Sequence, residues 1–216
     1  MLDLNLPTLI SRVVVLIVAF TIHEFAHAFI ADSFGDDTPR NAGRLTLNPL
    51  AHLDPFGSLL LLLAGFGWAK PVPVNPNNFK KNANLGMMLV SIAGPASNFI
   101  MAALAALLLR FDVVQPGASS SLSKILPSPY QVVNEFVIIN LVLLLFNLIP
   151  LSPLDGEKVA QYFAPPFIAN FYERIRPFGP YALLALFIIG PRLNFDAISW
   201  VLNPALPNIW HFLVGA

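Results

Sequence analysis

Three stretches of this sequence, residues 8–31, 86–110 and 130–149, are apolar over lengths that match a lipid bilayer. At about 1.5 Å of helical rise per residue, some twenty residues cover the roughly 30 Å of hydrocarbon in a membrane. Nothing else in the chain constrains its fold so tightly. A lone segment crossing hydrocarbon must satisfy its own backbone hydrogen bonds, and only a helix does so. Composition agrees: of 216 residues, 56% are hydrophobic and 11% charged, against roughly 25% charged in an ordinary soluble domain. The expectation is an all-α fold, a polytopic membrane helical bundle.

The rest of the chain punctuates these spans. Residues 56–66 are apolar but too short to cross, which predicts a re-entrant or interfacial helix. Pro71, Pro73 and Pro76 push the residues before them toward extended backbone, so 70–76 should form a short extended element. Gly94-Pro95 lies inside the second span and invites a kink, and the small residues Ser91, Ala93, Gly94, Ala96 and Ser97 allow close helix packing. Residues 178–214 are cut by Gly190-Pro191, Pro204 and Pro207 and are read as one or two further spans, giving about four to six membrane segments. Trp200 and Trp210 read as interfacial anchors. Residues 1–216 are expected to form a single integral membrane domain with its core at 8–160. Because no Lys or Arg precedes Arg12, the first span should be retained rather than removed as a signal peptide.

Charge narrows the function classes. Twelve basic and twelve acidic residues with no basic block give nucleic acid no footing. If the first span exits toward the cytoplasm, that side gathers Arg40, Arg44, Lys70, Lys80, Lys81, Lys158, Arg174 and Arg176, leaving Arg12, Arg110, Lys124 and Arg192 for the other, as the positive-inside rule prefers. With no cysteine, disulfides and thiolate ligands are excluded, and only His and carboxylates remain to bind a transition metal strongly.

Within residues 14–30, His23-Glu24-Phe25-Ala26-His27 supplies every ionisable group. Two histidines four apart on a helix face the same way, as two ligands of one metal require, and the glutamate beside the first is placed to act as a base on metal-bound water. Three clustered ionisable groups without a shared purpose would be costly in a membrane helix. A catalytic zinc usually takes a third protein ligand. Asp155 is the best candidate: it follows the third span on the side where the first also ends, in irregular backbone made by Pro150, Pro153 and Gly156. Glu135 is the next. His52 and Asp54 could form a further metal contact or a gate, but their surroundings, dense in Asn, Pro and Gly, read first as a fixed turn.

These residues resemble the site-2 protease family of intramembrane zinc metalloproteases. The likeness rests on the H-E-x-x-H helix, on residues 147–156 as its N-x-x-P…L-D-G motif, on Gly94-Pro95-Ala96-Ser97-Asn98, and on Gly43-Arg44-Leu45-Thr46-Leu47-Asn48-Pro49 with His52, Asp54-Pro55 and Gly57. It implies Zn2+ held by His23, His27 and Asp155, catalysis by Glu24, and Asn147 and Asn98 as contacts to substrate or oxyanion. It also implies a transmembrane protein or peptide as substrate, within the lipid bilayer of a cell membrane, and a compact member without a PDZ-like or nucleotide-sensing domain. Residues 70–76, with donors at Val72 and Val74, are expected to add a strand to an unwound substrate. The competing readings are a catalytically silent membrane zinc-binding protein and a metal transporter.

Overall fold

The computed structural model describes residues 5–57, 67–80, 82–117, 125–190, 192 and 197–215. The short apolar stretch expected at 56–66 lies outside them from residue 58 onward. Among the described residues the chain is mostly helical and has no strand beyond one isolated antiparallel bridge between Leu53 and Ala69.

Three long helices carry the structure: α1 (Leu6–Ser33), α2 (Ala83–Arg110) and α3 (Pro129–Asn147). Each is long and apolar enough to cross a membrane. Their starts are written in the sequence. Asn5 accepts from the Thr8 amide at 2.9 Å, Asn82 from Asn84 and Leu85, and Ser128 from Gln131, so each helix opens on a side-chain cap, with proline in the first turn of α1 and α3. Side chains such as Val14, Phe29, Ile100 and Leu104 stay exposed along them. On a soluble protein such an apolar surface would be a liability; against lipid it is what the solvent requires.

The helices run up, down and up. His27 of α1 meets Val90 of α2, Asn98 of α2 meets Asn140 of α3, and Arg12 of α1 meets Glu135 of α3. Thus α2 is antiparallel to both neighbours, and α1 lies parallel to α3. Close packing of α2 on α3 comes from Ala102, Ala106 and Leu109 against Val137 and Leu141. At the other end, Ala31, Phe79 and Val90 form a second cluster.

After α3 the chain turns sharply into α4 (Asp155–Phe163), followed by α5 (Pro166–Ile175), α6 (Gly179–Ile189), α7 (Ala197–Leu202) and α8 (Leu206–Val214). The C-terminal third differs from the expected one or two further spans. Its longest described helix is α6, with 11 residues, about 16 Å of rise and half a bilayer. Proline is the reason: each break falls beside one of the Pro residues that stop helices. Trp210 packs on the α2–α3 cluster and donates to Asn134 Oδ1 at 3.2 Å.

Candidate metal centre

His23 and His27 lie on one face of α1, both buried, ten and six residues before its end at Ser33. That places His23 about 15 Å inside the end of the helix. Asp155 reaches the same depth because the chain does not continue outward after α3. Leu148 and Ile149 close the helix, Leu151 and Leu154 form tight turns, and Asp155 begins α4 with its carboxylate in the first turn, where a helix favours negative charge. Gly156 makes this turn possible, as a Cβ there would fall 2.3 Å from the Leu148 carbonyl oxygen.

Three ligand atoms converge. His23 Nε2 and His27 Nε2 are 3.0 Å apart, and Asp155 Oδ2 lies 3.2 Å from the first and 3.4 Å from the second. A tetrahedral zinc with bonds of 2.0–2.1 Å sets its ligands about 3.3 Å apart. The separations match that edge.

The remaining ring nitrogens decide which atoms face the centre. His27 Nδ1 is 2.7 Å from the carbonyl oxygen of Val90, which can only accept, so Nδ1 carries the proton. His23 is fixed through a longer relay. The Phe136 carbonyl accepts from Asn140 Nδ2 at 2.8 Å, which turns Asn140 Oδ1 toward Asn98 Nδ2, also at 2.8 Å, and so turns Asn98 Oδ1 toward His23 Nδ1 at 2.6 Å. Every amide orientation follows from the carbonyl at its end. In the neutral form that ligates a metal, His23 and His27 held in this way present two lone pairs to each other and to a carboxylate oxygen that has no hydrogen-bond partner among the described residues. Such a set repels itself unless a cation sits within it, so these residues fit zinc.

Glu24 is buried beside the group, and its Oε2 accepts from the Val72 amide at 3.0 Å. One of the two donors expected to serve a substrate strand is thus engaged by Glu24. Asn98 is fully buried with both ends of its amide engaged, its Oδ1 by the imidazole of His23 and its Nδ2 by Asn140. Asn147 ends α3 with Nδ2 donating to Leu143 O at 3.0 Å. Glu135, the runner-up ligand, faces away: it pairs with Arg12 at 3.3 Å near the far end of the bundle. His52 and Asp54 make the fixed turn, His52 Nε2 bonding to Thr46 O at 2.8 Å and Asp54 accepting from the Gly57 amide at 2.8 Å. Neither belongs to the metal-binding group.

Sequence reasoning missed Asn140. It is 0% exposed in the middle of an apolar helix, and that was the available signal, since a buried amide among leucines and isoleucines needs a partner. Asn140→Leu should weaken zinc affinity about 10- to 100-fold, the usual effect of removing a group that orients a ligand. Competition with a chromophoric chelator on the purified protein would measure it, and unchanged affinity would remove the relay from the account.

Fold and group together define a helical membrane protein built around two histidines, a carboxylate and a neighbouring glutamate. The chain is 46% identical over 189 residues, 84% of its own length and 85% of the relative's, to the Bacillus subtilis (strain 168) protein named "Putative zinc metalloprotease YwhC". It is 29% identical over 210 residues to "Putative zinc metalloprotease Rip2" of Mycobacterium tuberculosis, covering 93% of this chain and 75% of that one. Rip2 of Mycolicibacterium smegmatis is 27% identical over 208 residues, with the same coverage. The chain belongs to the site-2 protease family of zinc metalloproteases. No family model matches it, and no solved structure does.

Proposed function

We propose that this protein is a multi-pass endopeptidase of the cell membrane that hydrolyses peptide bonds of membrane-spanning substrates, as in regulated intramembrane proteolysis. On this reading, residues 1–216 form one protease domain, His23, His27 and Asp155 hold zinc, and Glu24 is the general base. The observation that carries it is the convergence of three ligand atoms within an apolar bundle, about 15 Å inside the end of α1.

Zinc bound there supplies Lewis acidity toward a substrate carbonyl and toward water. Glu24 takes a proton from the attacking water as its oxygen bonds to the carbonyl carbon, then returns that proton to the amine as the C–N bond breaks. Asn98 and Asn140 keep the His23 lone pair turned inward throughout, and Val90 does the same for His27. Asn147, at the end of α3, is the nearest candidate in sequence for donating to the oxyanion.

The test is a single-span substrate reconstituted with the protein in liposomes, with cut sites mapped by mass spectrometry. Cleavage inside or at the edge of the apolar segment is expected, abolished by a chelator and restored by zinc. Cuts confined to the soluble flanks would overturn the intramembrane reading, and a zinc-loaded protein without cleavage would favour the silent binding protein.

A further inference from the structure

Two buried charges lie outside the metal centre without an ion-pair partner among the described residues: Asp36 and Arg44. Burying a charge is costly unless strong hydrogen bonds offset it. Both offset it with backbone. Arg44 donates to the carbonyl of Ala51 at 2.7 Å and to the carbonyl of Lys70. Asp36 accepts from the amide of Asn75 at 2.7 Å, and from Thr38 and Asn78. Burial works against its charge, but these hydrogen bonds prevail and hold its carboxyl below the ordinary carboxylate range. At Arg44 burial lowers the pKa, partly countered by the negative charge of Glu24.

Lys70 and Asn75 are the two ends of one segment that is neither helix nor strand, with Asn75 in extended backbone. Its first end is held again by the Lys70 amide on His52 O at 2.8 Å and by the Leu53–Ala69 bridge. Between the ends, Pro71 and Pro73 fix their own φ angles and restrict the residues before them. A segment this stiff, held at both ends, has little freedom in its middle. Val72 is its middle, and the Val72 amide donates to Glu24 Oε2.

We propose that residues 70–75 form a strap that aims the carboxylate of Glu24, with Arg44 and Asp36 as positioning residues that clamp its ends. The proposal rests on Glu24 being the base. A glutamate on a helix swings about three side-chain torsions. With Oε2 tied to Val72, the other oxygen keeps a set direction toward the water it must deprotonate, and each turnover begins from the reactive geometry. A proline linker that merely returned the chain to the surface would need neither buried charge.

The experiment compares Val72→Pro with Val72→Ala in the full-length protein, because both lose the side chain and only the first loses the N–H. Expected for Val72→Pro is a kcat about ten- to a hundredfold below that of Val72→Ala, with KM and bound zinc matching it. Arg44→Lys and Asp36→Asn should move kcat the same way by less. A rise in KM at constant kcat would overturn the strap, since the amide would then serve the substrate. Should Val72→Pro fail to fold, judged by zinc content and thermal unfolding, unchanged kcat in both clamp variants overturns it. Glu24→Gln is run in parallel. Cleavage surviving that change would end the reading of Glu24 as base, whereas its loss beside wild-type kcat in the strap variants would end the strap alone.

Discussion

Glu24→Gln is expected to keep zinc and to lower kcat by about two to four orders of magnitude, the usual contribution of a general base. Glutamine fills the same volume, and its oxygen can still accept from the Val72 amide, so the segment 70–75 keeps its anchor. What it lacks is proton affinity. The ligand variants should behave in the opposite sense: His23→Ala, His27→Ala and Asp155→Ala each remove one of three converging atoms and should lose most of the bound metal, and activity with it. Elemental analysis of the purified variants beside a cleavage assay separates the two patterns. Full zinc occupancy in Asp155→Ala would move the third ligand elsewhere. Glu135 could not replace it, because it is committed to Arg12.

Gly94→Ala should also empty the site, although intrinsic propensity argues the other way. Alanine in place of glycine inside a helix stabilises by roughly 0.5–1 kcal/mol. Here the added methyl would lie 2.4 Å from His27 Nε2, 2.5 Å from His23 Nε2 and 2.6 Å from His23 Cε1. These are overlaps rather than contacts, and the methyl lies toward the face where both lone pairs converge. Steric exclusion outweighs the propensity gain, so loss of most zinc and of cleavage is expected with helix content retained. Circular dichroism and metal analysis of one preparation would check this. A Gly94→Ala protein that kept its zinc would show that the imidazoles do not pack on α2 as described.

The long elements were legible because each signal was local. Spans expected at 8–31, 86–110 and 130–149 appear as helices within three residues of those bounds, set by caps and prolines adjacent in sequence. The two histidines were legible for the same reason, since a four-residue spacing on a helix fixes their mutual direction. Asp155 required one further step, the recognition that irregular backbone at membrane depth must line something. Asn140 escaped because its partner Asn98 is 42 residues away and nothing local announces the pair. The engagement of Val72 with Glu24 escaped too, being set by Arg44 and Asp36 acting across the fold. One or two further spans were expected in the C-terminal third, but among the described residues its helices begin or end near Gly190, Pro204 and Pro207 and none is long enough to cross.

Residues 70–76 are exposed or half-buried, so other chains can meet them. An unpaired strand edge invites any passing extended chain, and natural proteins blunt such edges with proline and charge. Pro71, Pro73 and Pro76 have no amide hydrogen. Those of Lys70, Val72 and Asn75 are taken by His52, Glu24 and Asp36. Over residues 70–76 that leaves the amide of Val74. A foreign strand laid along this segment would find carbonyls to donate to and almost nothing to accept from. The region that holds Glu24 is thereby a poor template for aggregation, and a polypeptide that pairs with it must contribute nearly all the amide hydrogens itself.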